Sequence, residues 1–274
     1  MSKLRRKLLS QNFLHSRQLV KKLVKTSSLG KNDLVLEIGP GRGIITEQLI
    51  SRAQHVLAVE LDARWYHYLQ NKFIGVENLT PYQGDILTFP LPNLPYKVFS
   101  NPPFAIEGQI IRKIIDAPNP PEDCYLVVMK ELAYRLSAPH QENQFSLTHK
   151  PWFNFSIVHH FRPTDFTPFS NVDSVLFRFT KRQTPLLPES ERNAFQNFIA
   201  EAFGHGLPLS HNLKERWERW ERWERQKIQK VLNKLGLQKH TLPNRLPLST
   251  WLCLYKELVS PVDRSKIPLH ETNS

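Results

Sequence analysis

Leu34-Val35-Leu36-Glu37-Ile38-Gly39-Pro40-Gly41-Arg42-Gly43 decides the fold. Residues 34–38 read as a buried strand, and they run straight into a glycine-rich turn. A helical stretch from Gly43 to about Arg52 follows. Glycines at such a turn let the chain reverse tightly and let its backbone come close to a ligand. The spacing is G-x-G-x-G rather than the G-x-G-x-x-G of many dinucleotide sites. No Gly-Lys-Ser/Thr follows, so a phosphate-cradling P-loop is not supported.

The same strand-then-helix rhythm continues outward from this turn. His55–Glu60 reads as a second strand, with a helix from about Asp62 to Phe73. Asn78–Gln83 is a third, weaker strand, and Tyr96–Ser100 a fourth, followed by a helix over Glu107–Ile115. Cys124–Met129 is a fifth strand. This alternation predicts an α/β fold with a mainly parallel sheet covered on both faces. Phe155–Phe161 and Ser174–Thr180 read as paired strands around a Pro-rich turn, placing antiparallel strands at one end of the sheet. Thr184-Pro185-Leu186-Leu187-Pro188 reads as a linker. Helices are expected over Glu189–Phe203, Leu213–Leu235 and Ser249–Val259. The expected organisation is a catalytic domain over 1–183 with a basic N-terminal arm, and a smaller helical domain over 184–274.

Composition narrows the partner. The chain has 274 residues, with Lys+Arg 37 against Asp+Glu 25 and a formal charge of +12. An excess of that size favours an anionic partner, above all nucleic acid. No apolar run approaches a membrane span, and the basic N-terminus has no apolar stretch behind it to make a signal peptide. Cys124 and Cys253 sit among apolar neighbours and are expected as buried free thiols. Two cysteines cannot form a zinc cluster, and no metal site is expected. The repeat Glu215-Arg216-Trp217, Glu218-Arg219-Trp220, Glu221-Arg222-Trp223, Glu224-Arg225 places each Glu four residues before an Arg, a favourable helical pairing. Its indoles would form a slanting stripe packed on a neighbour; stacking on RNA is the competing reading.

Four strand ends carry candidate ligand groups, at the edge where open α/β sheets bind ligands. The first is the glycine turn. The second is Glu60, placed to bond ribose hydroxyls. The third strand leads to Asp85 and Ile86, a carboxylate for an adenine amino group with an apolar neighbour for the ring. The fourth ends at Asn101-Pro102-Pro103-Phe104. There an amide oxygen and a backbone carbonyl can accept both N–H bonds of a base amino group, and an aromatic ring can stack on the base. The prolines hold the turn stiff and offer no competing N–H.

In this order, Glu-Ile-Gly-Pro-Gly-Arg-Gly, Val-Glu-Leu-Asp, Gly-Asp-Ile-Leu and Asn-Pro-Pro-Phe resemble the motifs of S-adenosylmethionine-dependent rRNA adenine N6-methyltransferases. Ser10-Gln11-Asn12-Phe13-Leu14 and the stretch Phe166–Ser174 strengthen the resemblance, which covers roughly residues 10–180. Ile110-Ile111-Arg112-Lys113-Ile114 and the small helical tail look most like the erythromycin-resistance (Erm) branch. That branch methylates one adenine of 23S rRNA and confers resistance to macrolides, lincosamides and streptogramin B. The resemblance implies a Rossmann-like methyltransferase sheet and a monomeric cytoplasmic enzyme with no membrane partner.

Carried over by position, the resemblance implies that Asn12 and Leu14 close over S-adenosylmethionine, and that Gly39 and Gly41 hold its methionine end. Glu60 with Leu61 would take the ribose, Asp85 with Ile86 the adenine, and Asn101 would face the cofactor as well as the base. Asn101 and the Pro102 carbonyl would grip the target N6 amino group and Phe104 would stack on it. Phe166 would form a second aromatic wall, and Arg112, Lys113, Arg135 and Arg162 would meet phosphates. The chain departs from the branch at Pro102, where Ile or Leu is usual, at Phe104, which lacks a Tyr hydroxyl, and at Ser170, where a proline is usual. Three rivals stand beside this reading. The first is the small-subunit rRNA dimethyladenosine transferase, whose usual Gly before Gln11 and Asn after Phe104 are absent here. The others are a non-catalytic RNA-binding or transcription-factor relative and an amine methyltransferase acting on small molecules or proteins.

Overall fold

The computed structural model describes residues 12–137, 142–204, 207–217 and 222–259, without the side chains of 214–217, 222–225 and 227. The chain opens with a short strand β1 (Phe13–Leu14) and helix α1 (Arg17–Thr26). Then come β2 (Leu34–Ile38), α2 (Ile44–Ile50), β3 (His55–Glu60), α3 (Ala63–Lys72), β4 (Leu79–Gln83), β5 (Lys97–Ser100), α4 (Glu107–Ile115), β6 (Asp123–Met129) and α5 (Lys130–Ser137). After α6 (Gln144–His149) follow β7 (Phe153–His160), β8 (Phe166–Thr167) and β9 (Ser174–Lys181). Four helices close the described chain: α7 (Arg192–Ala202), α8 (Leu209–Trp217), α9 (Arg222–Lys234) and α10 (Leu248–Val259).

Seven strands form one sheet in the order β4-β3-β2-β5-β6-β9-β7. β4, β3, β2, β5 and β6 are parallel, whereas β9 runs antiparallel to β6 and β7 antiparallel to β9. The chain winds outward from β2 to β4, then crosses back to lay β5 on the other side of β2. That reversal opens a crevice at the carboxyl ends of β2 and β5, the usual ligand position in such sheets. β2 and β6 are apolar nearly throughout and buried along most of their length, as strands covered on both faces must be. The core joins Val35, Val56, Phe99, Tyr125, Val127 and Leu176 of the sheet to Val20, Leu23 and Val24 of α1.

Two compact units make up the chain, 1–137 with 153–183, and 138–152 with 184–274. The segment 138–152, read from the sequence as part of the sheet domain, belongs with the helices. Within this second unit Phe195 meets Tyr255 and Phe198 meets Trp251 edge-on, with Phe198 tilted against Tyr255. Cys253 is exposed rather than buried, because Trp251, Leu254, Tyr255 and Leu258 occupy the inner face of α10. Both cysteines are free. The single helix expected over 213–235 is described as α8 and α9. The side-chain pairing expected of the Glu-Arg-Trp repeat lies outside the described residues, as does the basic arm over 1–11.

Candidate active site

The glycine turn is left-handed at Gly39, Gly41 and Gly43, with φ of 65°, 51° and 72°. Buried Glu60 fastens it. One carboxylate oxygen accepts from Gly41 N at 3.0 Å and the other from Asp62 N at 2.9 Å. Burial raises the Glu60 pKa, and these amide bonds offset the rise only in part. A carboxylate has about four acceptor positions, so Glu60 keeps capacity for a ligand hydroxyl after binding the turn.

Beneath the same turn lies Glu37, 1% exposed in an apolar strand. No hydrogen bond of normal geometry reaches its carboxylate oxygens among the described residues, though Thr46 stands close enough to favour the charged form. Burial pushes its pKa to about 8, with Glu60 adding to the rise and Thr46 and Lys72 opposing it. The sequence reading gave Glu37 no role. Its signal was present, as one acid in an otherwise apolar strand.

A small cleft opens at these strand ends, where open α/β sheets bind their ligands. Ile38 and Gly39 line it from β2, Glu60 and Leu61 from β3, Asp85 and Ile86 beyond β4, and Pro103 and Ile106 beyond β5. Asp85 anchors its own loop by accepting from Leu87 N at 2.8 Å. Of the sequence-predicted cofactor residues, Gly39, Glu60, Leu61, Asp85 and Ile86 meet in this cleft. Gly41 stands behind it, bonded to Glu60.

Asn101 follows β5 directly. Ser100 locks that strand end to β2 by accepting from Ile38 N at 3.2 Å and donating to Ile38 O. The Asn101 Nδ2 donates to the backbone carbonyl of Asn12 at 2.9 Å. That bond uses the amide's donor side and leaves Oδ1 as an acceptor. Pro102 is buried, and Phe104 is half-buried against the core. Leu14 is also buried, and its strand β1 pairs with β8 through Leu14↔Phe166.

Two of the expected RNA contacts are corrected by their surroundings. Phe166 is fully buried, edge-to-face with Phe161 at 5.5 Å, so its ring lies in the core rather than on a pocket wall. The exposed aromatic of that loop is Phe169. Lys113 is half-buried and donates to the Leu87 carbonyl at 3.0 Å, which turns its ammonium inward. Arg112 and Arg135 lie on the surface, and Arg162 exposes most of its guanidinium beside Asp165.

The donor set fits S-adenosylmethionine. Glu60 suits ribose hydroxyls and Asp85 beside Ile86 suits an adenine amino group, both lining the cleft; Glu37, buried in β2, adds an acid near Glu60 without lining it. Among the described residues no group of His, Cys, Asp and Glu is arranged to hold a metal, and no helix is long and apolar enough to cross a membrane.

Comparison with known proteins bears on the same residues. A family model described as ribosomal RNA adenine dimethylase matches residues 1–257. A ribosomal RNA small subunit methyltransferase A from Streptococcus thermophilus is 30% identical over 212 residues, covering 73% of each chain. The protein of that name from Dehalococcoides mccartyi is 32% identical over 205 residues, covering 73% of this chain and 70% of its own. The solved structure of the 23S rRNA methyltransferase ErmE superposes with a TM-score of 0.78 at 25% identity, covering 90% of this chain and 100% of its own. A dimethyladenosine transferase from Plasmodium falciparum shares the fold, with a TM-score of 0.74 at 20% identity over 90% and 97% of the two chains.

Proposed function

The chain belongs to the ribosomal RNA adenine dimethylase family, and on that premise we propose that it methylates the N6 amino group of an adenine in small-subunit rRNA. S-Adenosylmethionine is the cofactor and supplies an electrophilic methyl group carried on a sulfonium. Glu60 and Asp85, at the carboxyl ends of β3 and β4, would hold it, with Glu37 buried in β2 as a neighbouring acid. The geometric observation that carries the reading is the Asn101 amide. Its nitrogen donates to Asn12 O, which leaves its oxygen as an acceptor, two residues before the cleft-lining Pro103.

Asn101 Oδ1 and the Pro102 carbonyl accept the two N–H bonds of the target amine. This aims the nitrogen lone pair at the methyl carbon and concentrates electron density there. The proton leaves to solvent after transfer, so a strong base is not needed. The Phe104 ring stacks on the extruded base, offsetting part of the cost of unstacking it.

The names of the curated relatives favour the small subunit. The large-subunit resistance reading is supported by the full-length match to ErmE at 25% identity, and by Ser10 and Ala105 where small-subunit enzymes usually carry Gly and Asn. Transfer of tritiated methyl groups to purified small- and large-subunit rRNA, followed by primer extension, separates the two. Label in small-subunit rRNA supports the main reading. Label confined to large-subunit rRNA, with macrolide resistance in a susceptible host, moves the chain to the Erm branch. No label in either overturns both.

A further inference from the structure

Residues 12–15 form a strap fastened on three sides. Asn12 O accepts from Asn101 Nδ2. On the loop side, Phe13 and Leu14 pair with Thr167 and Phe166, and His15 N donates to Asp165 O at 3.3 Å. The third fastening is Arg42, at the tip of the glycine turn. Its guanidinium carbon lies 5.2 Å from the Phe13 ring centre and 5.8 Å from that of Trp65. Those two rings meet edge-on at 5.4 Å, and Trp65 meets Tyr68 in the same way at 5.7 Å.

Arg42 is exposed and makes no ion pair among the described residues; its guanidinium rests on the two rings. Its backbone is held as well. Lys72 Nζ donates to Arg42 O at 3.0 Å while resting over Phe73 at 5.0 Å. A delocalised planar cation stacked on two aromatic faces is a favourable contact that an ammonium reproduces only in part. The cluster therefore joins the cofactor turn, through Arg42, to the Asn12 carbonyl that holds the Asn101 amide.

We propose that Arg42 is a positioning residue: through Phe13 it fixes the Asn12 carbonyl, and thereby the orientation of the Asn101 amide. The proposal rests on the methyltransferase reading for its kinetic consequence but not for its structural one. Without the latch, residues 12–15 lift more often, Asn101 loses the partner of its donor side, and the amide can flip its nitrogen toward the target amine. Two donors then face each other and transfer stops in that conformer. Loss of correct placement costs turnover rather than RNA affinity.

The test uses the full-length protein as wild type, Arg42→Gln, Arg42→Lys and Trp65→Leu. Hydrogen exchange is measured at the amides of residues 13–15 without cofactor, and kcat and KM with the rRNA that accepts methyl groups. Arg42→Gln and Trp65→Leu should speed exchange at these amides by about tenfold. Both should lower kcat by roughly 10- to 100-fold with the RNA KM within about threefold. Arg42→Lys should fall between wild type and Arg42→Gln in both properties. Unchanged exchange in Arg42→Gln overturns the latch, as does Arg42→Lys being as impaired as Arg42→Gln. A defect confined to the RNA KM also overturns it and makes Arg42 a phosphate contact. If the wild type methylates no rRNA, the functional reading fails, and the exchange measurement still decides the latch.

Discussion

At the amino edge of the sheet, the buried Asp123 at the start of β6 is saturated. One oxygen accepts from Arg178 Nε at 2.9 Å. The other accepts from the Arg178 terminal nitrogen at 2.7 Å, Ser28 Oγ at 2.6 Å and the Tyr125 hydroxyl at 3.2 Å. Nearby, Asp33 accepts from Gly30 N and Lys97 Nζ. At the carboxyl edge, the buried Glu37 has no such partner, three successive glycine positions are left-handed, and the Asn101 amide is half used. The carboxylates of Asp123 and Asp33 are therefore satisfied internally at one edge, while Glu37 and the Asn101 oxygen at the other are left with acceptor capacity. Stability is concentrated at the first and recognition at the second, the division expected where function overrides local consistency.

The comparison is broken most sharply from the functional side. Asn101→Ala should lower methyl transfer by about 10³-fold, the scale of losing a preorganised acceptor. Its Tm should stay within about 2 °C of wild type, and its affinity for S-adenosylhomocysteine within about threefold. Calorimetry and a methyl-transfer assay on one preparation check all three. Wild-type turnover would remove Asn101 from the mechanism.

The opposite pattern is expected at the amino edge. Asp123→Ala leaves Arg178 partly buried without its partner and should cost about 3–5 kcal/mol, lowering Tm by about 10 °C. Below the transition, kcat should be unchanged. Thermal melts paired with kinetics at low temperature test this, and a selective loss of kcat would show the two edges to be coupled.

Gly43 and Gly75 sharpen the contrast through the backbone. Both have left-handed φ, 72° and 80°. A Cβ on Gly43 would lie 2.8 Å from the Phe73 ring and 2.9 Å from Leu69, whereas one on Gly75 meets nothing within 4 Å. Gly75→Ala should cost about 1 kcal/mol from conformation alone. Gly43→Ala should cost about 1–3 kcal/mol more through overpacking, and it should weaken cofactor binding because the turn must shift. Chemical denaturation of the two variants isolates the clash as their difference.

Much of this was legible in the sequence where the signal is local. The strand limits at Leu34–Ile38, the helix over Glu107–Ile115 and the order of ligand groups at four strand ends follow from apolar runs, glycines and acids read within about ten residues of chain. What escaped depends on distant partners. Phe166 looks like an exposed loop aromatic until Leu14 pairs with it across 152 residues of sequence. Lys113 looks like a phosphate contact until the Leu87 carbonyl takes its ammonium. Helix α1 was missed for another reason. Its apolar positions Val20, Leu23 and Val24 carry helical spacing, but the segment is short and lies before the first strand of the strand–helix alternation. Cys253 was readable from the period of α10 and was misjudged from its immediate neighbours.

Glu37 gives the most direct test of why a buried acid is kept at this edge. Its folded pKa is raised to about 8 by burial, whereas an unfolded carboxyl titrates near 4.5. Between these values the folded state holds a proton that the unfolded state has lost, so ionisation costs stability progressively as pH rises through that window. Glu37→Gln, which stays neutral, should match wild type near pH 4.5. By pH 8 it should be the more stable of the two, seen as a higher Tm than wild type. The same variant should bind S-adenosylhomocysteine more weakly, because a ligand ammonium beside Glu37 favours the charged carboxylate and draws off its proton. Wild type should accordingly release protons on binding at pH 7, seen as a dependence of the calorimetric heat on buffer ionisation enthalpy, and Glu37→Gln should lose that component. If Glu37→Gln gains stability at high pH without losing cofactor affinity, the acid is a cost with no ligand to offset it, and the carboxyl edge loses one of its recognition groups.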